Sequence, residues 1–207
     1  LSYETEEILL YYGMPSPYSQ AQEIYLDLIP KGSYIQDGIW KIRLIPEEIR
    51  DGQYDLWLPA GMALNRETRF LAASPDTTLT IPSTASRAIS VGAYDDATQA
   101  YADFSGRGFA RLGHPIKPEL AAPGVNIITA RAGGGYEAVT GTSFAAPFVT
   151  GSAALMMQWG IVNGNDLYGE KLKAYLIRGA RSLPGEAVYP NERVGYGALC
   201  LERSFPL

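Results

Sequence analysis

The stretch Gly141-Thr-Ser-Phe-Ala-Ala-Pro-Phe-Val-Thr-Gly151 sets a serine two residues behind a glycine, at the mouth of a run of small and apolar residues. Beyond it, Ala146, Val149, Ala153 and Met156 or Met157 recur at spacings of three and four, which predicts a helix from near Thr142 to about Trp159. Thr142 is a good N-cap, so Ser143 falls in the first turn, where free N–H groups and the positive helix end favour developing negative charge. That is a sound place for a nucleophile whose reaction passes through an oxyanion. Pro147 cannot donate to the carbonyl of Ser143, and inside a helix it costs up to about 3 kcal/mol. A purely structural helix seldom accepts that. Standing alone, Gly-Thr-Ser would more often be a cap than a nucleophile. The G-x-S-x-G elbow is not met, because Ala145 holds its fifth position and no apolar strand runs directly into Gly141.

Outward from this helix the chain changes period. A second helix is expected over roughly Asp166 to Arg181, with Leu172, Tyr175, Leu176 and Ala180 on one face. Ala88-Ile-Ser-Val-Gly-Ala-Tyr and Gly124-Val-Asn-Ile-Ile-Thr-Ala read as short apolar strands. Before about residue 73 the period is two. In Gly38-Ile-Trp-Lys-Ile-Arg-Leu-Ile, Trp40, Ile42 and Leu44 share a face opposite Lys41 and Arg43, and Glu23-Ile-Tyr-Leu-Asp-Leu-Ile and Tyr54-Asp-Leu-Trp-Leu are similar. An all-β part over 1–73 and an α/β part over 74–207 are therefore expected.

The 207 residues suffice for one large domain or two small ones, and with 46% hydrophobic and 19% charged residues the chain reads as globular. A net charge of −5 without a basic run gives no reason to expect a nucleic-acid partner or an anionic membrane. No transmembrane helix is expected, since the longest apolar run is shorter than a span needs. Cys200, the single cysteine, forms no internal disulfide and reads as a small core residue. The chain opens Leu-Ser-Tyr-Glu-Thr without an initiating Met or a signal pattern, which reads as a cut inside something longer.

Taken whole, residues 141–151 resemble the serine segment of the subtilisin-like proteases, G-T-S-x-A-x-P-x-V-x-G. Phe104-Ser-Gly-Arg-Gly, Lys117-Pro-Glu-Leu-Ala-Ala-Pro-Gly-Val, Ile81-Pro-Ser-Thr-Ala, Ile89-Ser-Val-Gly-Ala and Gly195-Tyr-Gly-Ala-Leu resemble further segments of that family. The likeness covers roughly residues 78–205. Asp37-Gly-Ile-Trp-Lys-Ile-Arg, Trp57-Leu-Pro, Trp159-Gly-Ile-Val-Asn-Gly-Asn and Tyr189-Pro-Asn look like the clostridial spore-germination (Csp-type) subtilases, which carry an inserted β jelly roll. The resemblance implies an α/β subtilisin-like fold, here its C-terminal part, plus part of an all-β jelly roll. The implied activity is that of a serine endopeptidase acting through an acyl-enzyme on Ser143. Gly141, Thr142 and Pro82 are the implied substrate-side residues.

A serine hydroxyl needs a base, which in this family is a histidine held by an aspartate, both ahead of the serine. The lone histidine, His114, lies in Arg111-Leu-Gly-His-Pro, outside the family's H-G-T context, and is read as an exposed loop residue. Asp95, Asp96 and Asp103 are read as loop and turn carboxylates, and Asn65 and Asn126 lack the A-G-N context of the oxyanion donor. The base, its aspartate and the oxyanion asparagine are thus expected upstream of this chain, which alone is expected to be inactive. The expected partners are a protein or peptide substrate and the missing N-terminal part of the same protein, or a second copy of the fragment. A non-catalytic pseudoprotease in binding or signalling is the competing reading. No cofactor is required; the family can hold a structural calcium, yet no carboxylate cluster marks a calcium loop here, and a spore or extracytoplasmic location follows from the resemblance alone.

Overall fold

The computed structural model describes residues 1–15, 17, 21–49, 52–59, 64–65, 67–108 and 115–206. The chain divides into two compact units, Leu1–Leu58 and Pro59–Leu207, a division that falls ahead of the expected boundary near residue 74.

In the first unit, β1 (Glu6–Gly13) and β2 (Glu23–Pro30) form an antiparallel hairpin in register from Glu6 opposite Pro30 to Gly13 opposite Glu23. Glu6 is buried, and its carboxylate accepts the Gln36 N–H at 2.8 Å, fastening the hairpin to the chain beyond it. The expected strand at 23–29 is β2. The runs 38–45 and 54–58 are not laid down as strands, and β1–β2 is the one strand-to-strand ladder among the described residues of this unit. Alternation marks which face a strand would bury, but a ladder also requires a neighbouring strand and a covering layer. Trp40, Ile42 and Leu44 accordingly stay 49%, 57% and 48% exposed. Of the three period-two runs, the one at 23–29 is laid down as a strand among the described residues.

The second unit is built on a sheet in the order β4-β3-β5, with β3 Val91–Asp95, β4 Ala100–Tyr101 and β5 Leu120–Pro123. β3 and β5 run parallel, Val91 opposite Leu120, whereas β4 returns antiparallel on β3. Residues 197–199 extend this sheet: the Ala121 N–H donates to the Gly197 carbonyl at 2.9 Å and the Leu199 N–H to the Ala121 carbonyl at 2.8 Å. A separate hairpin, β6 (Ile127–Ala130) and β7 (Tyr136–Val139), leads straight into helix α1 (Thr142–Val162), followed by α2 (Gly169–Gly179) and the short α3 (Leu201–Ser204).

Helix α1 lies on the sheet through Ala145, Val149, Ser152, Met156 and Gly160, spaced by three and four, against Ala93, Leu120 and Ala122. Leu172 and Leu176 of α2 close the same core, and Trp159 meets Phe205 with ring centroids 5.9 Å apart. The buried stripe of α1 is centred slightly off the expected one, since Ala146 and Ala153 are half-buried. Its other face is apolar as well: Phe148, Leu155, Ile161 and Val162 are 41%, 57%, 67% and 73% exposed. With 21 residues and a mean hydropathy of 1.2, α1 is long and apolar enough to cross a membrane by length and composition alone. Its packing on β3 and β5 makes it the helix of a core.

Candidate active site

Ser143 is the second residue of α1 and is exposed. The N-cap is Gly141, not Thr142 as expected, and no side chain caps this end. The reason is geometric. Gly141 has φ 154°, a conformation reserved for glycine, so the turn from β7 into the helix is made one residue earlier than a threonine cap would make it. Its N–H donates to the Gly124 carbonyl at 2.8 Å, which ties the helix start to the end of β5. A Cβ on Gly124 would stand 2.6 Å from the Ala93 Cβ and 3.1 Å from the Gly141 oxygen, so this approach requires glycine.

In the first turn the Phe144 N–H donates to the Gly141 carbonyl at 3.1 Å, which leaves the Thr142 and Ser143 N–H groups without an intrahelical acceptor. Pro147 removes the donor that would occupy the Ser143 carbonyl. Among the described residues no side chain hydrogen-bonds the Ser143 hydroxyl, and none offers it a base. Ser143 thus stands at the positive end of a helix with no base beside it among the described residues.

Beside the helix start lies a cleft of about 530 Å³ lined by Thr80, Ser83, Ser90, Phe104, Arg107 and Thr142, among others. Thr142 is thus on its wall. Pro82 and Gly141 are not among the lining residues, although Thr80 and Ser83 flank the Ile81-Pro82 pair, whose peptide bond is cis. Asp103 also faces this cleft. Asp95 caps a turn by accepting the Ala97 N–H at 3.0 Å, and Asp96 accepts from the Gln99 amide at 2.9 Å. Asn65 accepts from the Thr68 N–H at 2.8 Å and the Glu67 N–H at 3.1 Å, a turn-stabilising role. His114 lies outside the described residues. Among the described residues no three His, Cys, Asp or Glu side chains are grouped to hold a metal ion.

Asn126 turns the chain from β5 towards β6 with φ 53°, and its N–H donates to the Thr140 hydroxyl at 3.0 Å. Replacing it with Gly is expected to leave stability within about 0.5 kcal/mol, whereas Val costs about 1–2 kcal/mol because branched side chains resist positive φ. Urea unfolding of the two variants checks this.

A serine at an exposed helix N-terminus, led into by a strand hairpin and with its helix packed on a mixed sheet, has the placement that a nucleophile takes in an α/β serine hydrolase. The family model of the Peptidase S8 subtilases matches residues 65–197, and the chain belongs to that subtilase family of serine peptidases. Serine protease AprX of Bacillus subtilis (strain 168) is 34% identical over 155 residues, 65% of this chain and 33% of AprX. Subtilisin-like protease 1 of Trichophyton verrucosum is 51% identical over 55 residues, 27% of this chain and 13% of the relative. The CspB protease of Clostridium perfringens superposes with a TM-score of 0.79 at 39% identity, covering 97% of this chain and 42% of CspB. That match places the chain with the Csp-type subtilases. The chain spans about a third of the length of AprX and less than half of CspB.

Proposed function

We propose that this chain is the nucleophile-bearing part of a subtilisin-like serine endopeptidase and that the remainder of the same protein completes its active site. The observation that carries the reading is Ser143 in the first turn of α1, exposed and with no base among the described residues. In the complete site a histidine takes the Ser143 proton as Oγ attacks the scissile carbonyl carbon. The oxyanion formed there is held by the Ser143 N–H and an asparagine from the upstream segment. The histidine then returns the proton to the departing amine, leaving an acyl-enzyme, and water repeats the sequence to release the acid and regenerate Ser143.

The first unit is read as part of a β jelly roll inserted in the protease domain, and the exposed apolar residues of β1 and β2, including Leu9, Leu10, Tyr11 and Tyr12, as a surface for its remaining strands. The bare outer face of α1 is read in the same way. A fluorophosphonate probe tests the proposal. The 207-residue chain is expected to remain unlabelled, and the protein with its upstream segment is expected to be labelled at Ser143. Labelling of the short chain would mean that a group within it, such as His114, activates the serine. An unlabelled complete protein would mean a pseudoprotease.

A further inference from the structure

Lys117 is buried to the end of its side chain, and its ammonium stands 2.8 Å from Glu119 Oε1, itself buried. Lys173, from α2, reaches the same oxygen at 2.5 Å. No directed hydrogen bond meets that oxygen, so charge holds the two contacts. Two cations around one carboxylate are a poor stabilising device, because apolar side chains of similar volume usually serve a core as well or better.

What the three charges share is their target. Lys117 Nζ donates to the Ala88 carbonyl at 2.6 Å, and Lys173 Nζ to the Ser86 and Ala88 carbonyls at 3.0 and 3.3 Å. The other Glu119 oxygen accepts the Ser90 N–H at 2.7 Å. All these bonds end on the backbone of residues 86–90, just ahead of β3. The chain of contacts then continues outward. The Ser90 hydroxyl donates to the Ser83 carbonyl, and the Ser83 hydroxyl to the Thr80 carbonyl at 2.5 Å. Thr80, Ser83 and Ser90 line the cleft together with Thr142, next to the nucleophile.

We infer that Lys117, Glu119 and Lys173 are positioning residues: from the core side they fix the 80–90 wall at its distance from the start of α1, and so set how tightly an extended peptide is held beside Ser143. This rests on the proposed endopeptidase reading. Neither lysine nor Glu119 lines the cleft, so none of them touches substrate.

The test uses the complete protein and two variants. In the first, Lys117→Met, Glu119→Leu and Lys173→Met replace all three charges with apolar chains that preserve the packing. In the second, Ser90→Ala cuts the outward link while leaving the three charges in place. Amide hydrogen exchange of residues 80–90, KM and kcat for a peptide of at least six residues, and the rate of fluorophosphonate labelling are measured for each. The charge-free variant is expected to exchange at least tenfold faster at 80–90 with α1 unchanged. KM should rise at least tenfold while kcat and labelling stay within about threefold. Ser90→Ala should show the same pattern at roughly threefold in KM, and it remains informative if the triple variant does not fold. Lys173→Arg, which keeps a cation within reach, should restore values near wild type. Unchanged exchange at 80–90, or faster exchange with an unchanged KM, overturns the inference. A wild-type protein that neither cleaves nor labels removes the endopeptidase reading instead, and the exchange comparison alone then decides whether the charges hold the wall.

Discussion

Replacing Ser143 with Ala in the complete protein is expected to abolish peptide hydrolysis while leaving the fold intact. The hydroxyl is exposed and makes no hydrogen bond to a described side chain, so its loss leaves no buried group unsatisfied. Alanine is also the better helix former at this position, and the change in stability should stay within about 0.5 kcal/mol. The effect on rate is of another order. On the proposed endopeptidase reading, loss of Oγ removes the covalent intermediate and leaves the histidine of the complete site no proton to take. In subtilisin, a member of the same family, removing the serine lowers kcat by about 10⁶-fold, with a residual rate from the oxyanion hole and binding. A loss of similar size in kcat with KM little changed is expected here, because the hydroxyl acts in the transition state rather than in ground-state binding. The measurement is steady-state kinetics with thermal unfolding run alongside. Activity above about one per cent of wild type would place the nucleophile elsewhere.

Ser143 stood out in the sequence because two local signals lie just beyond it: a 3.6-residue apolar period that begins at Ala146, and a proline at 147 that only an unusual helix accepts. The true cap was not legible. Thr142 has the side chain of an N-cap, and only the φ of Gly141, a backbone feature that residue types do not display, moves the helix start. Strand β1 escaped for the opposite reason. Ile8-Leu-Leu-Tyr-Tyr is apolar without alternation, so period two cannot find it. The run 38–45 alternates well and is still not a strand, because pairing is a property of the neighbour as much as of the segment. β5 showed only as a motif, since Leu120-Ala-Ala-Pro is too short to carry a period. The Lys117, Glu119 and Lys173 cluster could not be read: the first two stood only inside a family-like segment, and the third sits in α2 far along the chain, on a residue type that sequence reasoning assigns to solvent.

The same dependence on distant partners makes Gly195 a backbone position where a single methyl group should do heavy damage. Its φ is +58°, and a Cβ there would stand 2.0 Å from the Pro118 carbonyl oxygen and 2.5 Å from that of Glu119. These are main-chain atoms of the segment entering β5, so no side chain can swing aside. The neighbouring Tyr196 N–H donates to that same Glu119 carbonyl at 2.9 Å, and the pairing of 197–199 with Ala121 follows directly. An alanine must therefore push the C-terminal strand off β5 or shift the backbone that holds Glu119 in its buried ion cluster. The left-handed conformation alone costs alanine about 1–2 kcal/mol, and relieving contact with fixed backbone adds about 1–3 kcal/mol or more. Against a typical total of about 5–15 kcal/mol, Gly195→Ala should remove a large share of the stability of the second unit. Gly133→Ala provides the control. That glycine also has positive φ, at 84°, but nothing lies within 4 Å of its Cβ position, so it should cost only the conformational part, about 1–2 kcal/mol. Urea unfolding of both variants separates the two contributions. Equal midpoints would mean that the C-terminal strand gives way without cost and that its contact with β5 does not hold the sheet together.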